Sequence, residues 1–340
     1  MHVLTPRSRR LRAIPPALVL FFVFPKFLPA QEAPSLSSTF LIFKPRIEYD
    51  AEALPGALLR VRAWSMGGID ALSPILVDRN GKPVSRGVGF HLDPVSETSE
   101  WVGLVGIPST LPKGEYTLIM DASRQGRKYW EADAVAVGEK KFATEAIPLN
   151  QSLTALRAAP DPRKNEEARA LFALLESSHS DAVFEWGLFI RPVEPLRKSA
   201  GFGDRREYLY SDSRREYSIH NGIDYALPEG SPVLACGRGR VVMACPRIMT
   251  GNTVVVEHLP GFYSLYFHLS EIIVGVGDVL SKGQILGKVG MTGLATGPHL
   301  HWEVEVLGVA VDPEAFLRRP ILDKGPDLGS NSGTSGNEGR

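Results

Sequence analysis

The sequence predicts an all-β chain: a β-sandwich-like domain over residues 36–143, a short linker with a helix over 144–195, and an antiparallel β domain over 196–318. Three observations carry this. Apolar and polar residues alternate with period two in the first region, as in Leu59, Val61 and Ala63 against Arg60 and Arg62. Short apolar runs separated by glycine turns recur in the last, at 253–257, 263–267, 284–289 and 299–306. Between the two, one window has helical spacing, with Ala168, Leu171, Phe172 and Leu175 on one face.

Residues 1–30 read as an address ahead of these elements. Arg7, Arg9, Arg10 and Arg12 form a basic cluster, an apolar run of 13 residues extends from Ala13 to Pro25, and Ala30 offers a small-residue exit. This is the pattern of a secretory signal peptide. The run is also shorter than the roughly 20 residues a membrane-spanning helix needs. The mature chain is therefore expected in the periplasm or cell envelope, with no stable membrane span; the alternative is that the segment is kept as an uncleaved anchor.

In the first domain Tyr116, Leu118 and Met120 continue the alternation, and Asn80-Gly81 and Pro112-Lys113-Gly114 supply turns. One apolar and one wet face per sheet are expected, and short strands with frequent turns fit a sandwich. His91, the lone histidine there, is assigned a structural role. In the linker Asp161 can cap a helix that Pro162 opens. The tail over 319–340, rich in Gly, Ser and Asn, is expected to be disordered.

Lys+Arg and Asp+Glu balance at 38 each. Five of the bases lie in residues 1–30 with no acid, so 33 bases against 38 acids leave residues 31–340 at −5. A mildly acidic mature chain excludes a general nucleic-acid-binding surface. Export permits disulfides, but Cys236 and Cys245 flank Gly237-Arg238-Gly239 unevenly. A hairpin centred there leaves the pair further apart than the roughly 7 Å a bridge can span, and two buried thiols are expected.

The chemistry lies in the last domain. His220 and Asp224 enclose Gly222 and Ile223, which favour a strand, so 220, 222 and 224 share a face and Gly222 leaves space for a metal ion. His299, His301 and Glu303 likewise share a face, while Leu300, Trp302 and Val304 face the core. One histidine of that pair is expected to bind metal and the other to move protons. His220, Asp224 and His301 together offer two nitrogens and one oxygen, a typical catalytic zinc set with a fourth position for water, whose pKa zinc lowers to about 7. His299 is then the general base, His268 in Tyr266-Phe267-His268-Leu269 helps hold an oxyanion, and Glu303 fixes an imidazole tautomer. His258 is read as structural, and a His-Glu-x-x-His helix is absent.

From Gly201 to Phe316 the chain resembles the LytM/lysostaphin-like zinc metallopeptidases, which cut peptide bonds in bacterial peptidoglycan. The resemblance rests on Phe202-Gly203-Asp204-Arg205-Arg206, the His220–Asp224 motif, Pro228-Glu229-Gly230, Gly251-Asn252-Thr253, Tyr266-Phe267-His268-Leu269, Gly277-Asp278-Val279, Lys282-Gly283-Gln284 and Gly290 to Pro298 before the His299–His301 pair, all in order. It implies a metallopeptidase fold for residues 196–318, Zn2+ on His220, Asp224 and His301, catalytic roles for the non-ligand histidines His268 and His299, and peptidoglycan as substrate. Two alternatives stand beside it. A zinc-holding wall-binding or hydrolase-regulating module has no need of two free imidazoles. Gly277-Asp278-Val279 and Gly283-Gln284 are also similar to biotinyl and lipoyl carrier domains, which leave the histidines unexplained. Asn150 and Asn165, by residue type, are the candidates for an upstream ligand that closes the metal site.

Overall fold

The computed structural model describes residues 45–65, 68–92 and 99–323. The expected signal segment 1–30 and the end of the expected tail, 324–340, lie outside the described residues.

The alternation in the first region folds into two facing sheets. One runs Arg46–Tyr49, Leu58–Ser65, Ser99–Gly106, Val88–His91; the other runs Glu52–Ala53, Arg127–Val137, Gly114–Arg124, Ala71–Val77, Pro83–Arg86. Leu59, Val61 and Ala63 meet Leu118, Met120 and Ala122 between the sheets, all fully buried. Burying a side chain of Leu or Val size contributes about 1.5–3 kcal/mol, so this stripe holds the sandwich. The expected wet face is not wet on the first sheet. Leu58, Val88, Phe90, Val102 and Leu104 point away from the sandwich interior and join the core of the second domain. Arg60, on that same face, donates through Nε to the carbonyl of Ile321 at 2.6 Å and through Nη2 to that of Pro320 at 3.0 Å. Period two identifies a second face, but it does not reveal what covers it.

The linker holds more structure than its one predicted helix. A strand, Thr144–Pro148, pairs in parallel with Arg205–Leu209. Helix α1, Gln151–Ala158, follows; it is two turns long and is set by Asn150, whose Oδ1 accepts from the Leu153 amide at 2.9 Å. Too short for an apolar stripe, α1 left no periodic signal. Helix α2, Pro162–Leu175, starts as expected, with Asp161 accepting from the Arg163 amide at 3.0 Å. Its inward stripe runs through Leu175, which is buried, and Leu171 and Leu174, which are partly buried, against Val255, Tyr263, Leu265 and Phe267. Phe172, expected on that stripe, is 61% exposed, because it sits one position round the helix from Leu171.

The second domain is built on one large sheet in the order Arg197–Ala200, Gly222–Ala226, His299–Val306, Phe262–Leu269, Gly251–Leu259, Gly239–Arg247, Val279–Leu280, with Val309–Val311 added to the end of His299–Val306. The residues about Gly237 form no hairpin: Pro232–Leu234 pairs with Ile285–Lys288, whereas Gly239–Arg247 pairs with Gly251–Leu259. Both cysteines are free; Cys236 is buried, and Cys245, expected to be so, is half-buried. The predicted tail boundary at 319 needs correction, since Ile321 and Leu322 are buried and the Ile321 amide donates to the Gly187 carbonyl at 3.1 Å. Their apolar side chains fill the domain junction that Arg60 closes. Among the described residues no helix is long and apolar enough to cross a membrane.

Candidate active site

Three adjacent strands bring the site together. Asp224 lies directly opposite His301, and Gly222 opposite Glu303, so these four positions share one face of the sheet. On the other flank Phe267 lies opposite His301, and the two rings stack with centroids 5.2 Å apart at 5°. Ile223, Leu300, Trp302 and Val304 are buried on the reverse face and lock these strands to the core.

His268 is out of phase with this pattern. A regular strand with Phe267 on the site's face turns residue 268 to the reverse face. His268 instead has φ +61°, in the left-handed region, which interrupts the alternation. Its ring comes to 4.8 Å from that of His299 and 6.2 Å from that of His301, between centroids. Such a backbone costs a non-glycine residue of order 1–3 kcal/mol and persists only where its surroundings hold it. Here the His268 amide donates to the Thr250 carbonyl at 2.8 Å.

Neighbouring acceptors fix each imidazole's tautomer. A carbonyl or carboxylate can only accept, so the ring nitrogen bonded to it carries the hydrogen. His220 Nδ1 donates to the Gly201 carbonyl at 2.7 Å, His268 Nδ1 to that of Thr292 at 2.8 Å, His299 Nδ1 to that of Gly297 at 2.8 Å, and His301 Nε2 to Glu303 Oε1 at 2.8 Å. The remaining nitrogens of His220 and His301 converge on the Asp224 carboxylate, which can also only accept, so without a metal ion between them a second hydrogen must sit on one of these rings. His220 Nε2 and His301 Nδ1 are 2.9 Å apart, and Asp224 Oδ1 is 3.1 Å from the first and 2.7 Å from the second. His299 Nε2 is 3.7 Å from the same oxygen.

Two ring nitrogens and a carboxylate oxygen this close together require a proton or a metal ion between them. The electrostatics of the group carry the same demand. Burial disfavours charge on His301, but Asp224 and Glu303 outweigh it and raise the ring to about 9. Burial likewise disfavours the Asp224 carboxylate, yet His301 and His220 hold it well below the usual carboxylate range. Donors around a tetrahedral zinc ion lie about 3.3 Å apart, a few tenths of an ångström wider than here. Two imidazole nitrogens and one carboxylate oxygen, all within 4.8 Å of one another, therefore fit the zinc expected of them. The flanking pair is held neutral. Burial, with His299 and His301 nearby, lowers His268 to about 3, and burial lowers His299.

Sequence reasoning assigned the space at Gly222 to an ion. The structure fills it otherwise: a Cβ there would meet the Trp302 carbonyl oxygen at 2.4 Å, Glu303 Cγ at 2.7 Å and His301 Nε2 at 2.9 Å. Glycine is required because a neighbouring strand and two site side chains pass close by. Asn150 caps α1 and Asn165 is exposed on α2, so neither fits the role of an upstream ligand. His258 is a core group, its Nδ1 donating to the Arg238 carbonyl at 2.7 Å and its Nε2 beside Ser264 Oγ at 2.7 Å. His91 packs edge-on against Trp101. Arg206, which closes the entry motif, was given no role of its own, yet its Nη2 donates to Asp224 Oδ2 at 2.5 Å. No local spacing reveals a contact that pairing across the fold creates.

Comparison with known proteins points to one family. Residues 218–313 match Peptidase family M23. Over 116 residues the chain is 43% identical to the peptidoglycan DD-endopeptidase ShyA of Vibrio cholerae, covering 34% of this chain and 26% of that protein. Over 127 residues it is 39% identical to the DD-carboxypeptidase/endopeptidase Mpg of Neisseria meningitidis, covering 37% and 28%. These matches thus span about a quarter of each relative's length. A crystal structure of a putative peptidase M23 from Pseudomonas aeruginosa aligns over 78% of this chain and 94% of that one, with 26% identity and a TM-score of 0.50. The C-terminal domain of this chain belongs to peptidase family M23.

Proposed function

We propose that the chain is an exported zinc metalloendopeptidase that hydrolyses peptide bonds in bacterial peptidoglycan. One observation carries this: His220 Nε2, Asp224 Oδ1 and His301 Nδ1 converge as a set able to hold a metal ion, with two further imidazoles, His268 and His299, packed beside it. Family membership and relatives named as peptidoglycan DD-endopeptidases support the substrate class, and the pattern of residues 1–30 supports export.

Zinc held by the three ligands supplies a Lewis acid, which polarises a carbonyl and brings the pKa of water to about 7. The protein's own groups handle orientation and protons. His299 Nε2 accepts the proton of the attacking water, since the Gly297 carbonyl keeps the hydrogen on Nδ1. His268 rests neutral with Nδ1–H on Thr292, so its Nε2 holds an oxyanion only after gaining a proton. Negative charge developing on the substrate favours that protonation, and burial opposes it beforehand. Glu303 holds His301 with Nδ1 free to ligate.

Digestion of purified sacculi by residues 31–340, read by mass spectrometry, tests the proposal. New peptide termini that vanish with a zinc chelator and in His299→Ala are expected. Zinc-loaded protein that leaves sacculi intact would instead favour the zinc-holding, non-catalytic module.

A further inference from the structure

Asp224 uses its two oxygens differently. Oδ1 faces the imidazoles, whereas Oδ2 accepts from Arg206 Nη2 at 2.5 Å. The same guanidinium donates through Nε to Glu145 Oε1 at 2.5 Å. Its side chain is 13% exposed, so it is not a surface arm that met the carboxylate by chance. Glu145 and Arg206 are direct partners in the parallel pairing of Thr144–Pro148 with Arg205–Leu209, and the backbone ladder therefore sets their contact. Glu145 lies upstream of the peptidase domain, more than 50 residues before the motif that contains Asp224.

We propose that Arg206 is a positioning residue for the metal site, holding Asp224 to a single ligating oxygen, and that Glu145 holds Arg206 in turn. A free carboxylate rotates and can offer either oxygen or both. A planar guanidinium engaged on both sides removes that freedom before metal arrives. Charge explains why two residues are needed. Arg206 alone would offset the negative charge that a dication needs from Asp224; Glu145 neutralises it and leaves that charge available. Through this pair, a strand from outside the peptidase domain sets the affinity of the metal centre.

The proposal rests on His220, Asp224 and His301 binding zinc, and the test separates the two. Zinc affinity of the full mature chain is measured by competition with a chromogenic chelator, alongside urea melts of the metal-free proteins. The parent is expected to bind one zinc. Arg206→Ala and Arg206→Lys, the second keeping charge without the fork, should weaken binding about 10–100-fold, the range for partners that orient metal ligands. Glu145→Gln should weaken it less, and adding it to Arg206→Ala should cost nothing further. Zinc bound by Arg206→Ala and Arg206→Lys as tightly as by the parent, with only the melts altered, would overturn the proposal and leave a purely structural ion pair. If Arg206→Ala does not fold, Arg206→Lys and Glu145→Gln decide the matter by the same criterion. A parent that takes up no zinc would overturn the metal-site assignment itself and this proposal with it.

Discussion

Gly222→Ala places one methyl group where the structure has no room. Its Cβ would lie 2.4 Å from the Trp302 carbonyl oxygen, against a comfortable carbon–oxygen separation of about 3.3 Å. The strands must therefore part by about 0.9 Å, and the opposing atom is backbone of a central strand that cannot swing aside. Overpacking of this kind costs about 1–3 kcal/mol. The displacement falls two residues before Asp224 and presses on Glu303 Cγ and His301 Nε2, at 2.7 and 2.9 Å. A shift of about 1 Å in a catalytic group can cost on the order of 100-fold in rate. Urea melts should show the stability loss, chelator competition should show weakened zinc binding, and sacculus turnover should fall by about that factor. Gly297→Ala serves as the control, because nothing lies within 4 Å of its added Cβ; it should stay within about 0.5 kcal/mol of the parent. If Gly222→Ala melts like the parent and keeps its zinc affinity, the steric account of this glycine is wrong.

Other outcomes follow from the same geometry. His301→Ala should lose both zinc and activity, whereas His299→Ala should lose activity and keep near-stoichiometric zinc; metal analysis showing equal zinc loss would refute the division of roles. Zinc at about 100 times its dissociation constant should stabilise the fold by about 2.7 kcal/mol, visible as a thermal shift that a chelator reverses and that His220→Ala lacks. His258, lowered by burial to about 4, sets a pH dependence. Between its unfolded value near 6.5 and about 4 the unfolded chain binds the proton and the folded one does not. Its contribution is therefore complete above about 6.5 and is lost as pH falls, on the order of 3 kcal/mol in all. Melts across that range should show the slope, and His258→Gln should reduce it, the remainder coming from His268 and His299, which burial also lowers; an unchanged slope would show that His258 contributes nothing to it.

The legible parts of the chain were those where one strand or one motif carried its own signal. The alternations at Leu59–Ala63 and Tyr116–Met120 identified the sandwich interior, because a period-two pattern is a local property of a strand. His299, His301 and Glu303 could be placed on one face for the same reason, and the Glu303–His301 bond followed. Helix α2 was legible from its cap and stripe, while α1 had only a cap, and Phe172 shows that a stripe drawn from sequence runs wider than the contact that is made.

Other features depend on what meets what across the fold. His268 reaches the site only by a left-handed backbone that Thr250 and Thr292 hold from other segments. Gly222 is glycine because Trp302 and Glu303 pass beside it, and Arg206 finds Asp224 because the strand bearing Glu145 docks alongside its own. The sequence by itself determined the chemical inventory and the face each strand presents, because side-chain type and strand period are written locally. The tertiary structure alone decided the tautomers of His220 and His268, which oxygen of Asp224 faces the imidazoles, and the reach of the upstream strand towards Asp224, because each depends on contacts between residues distant in the chain.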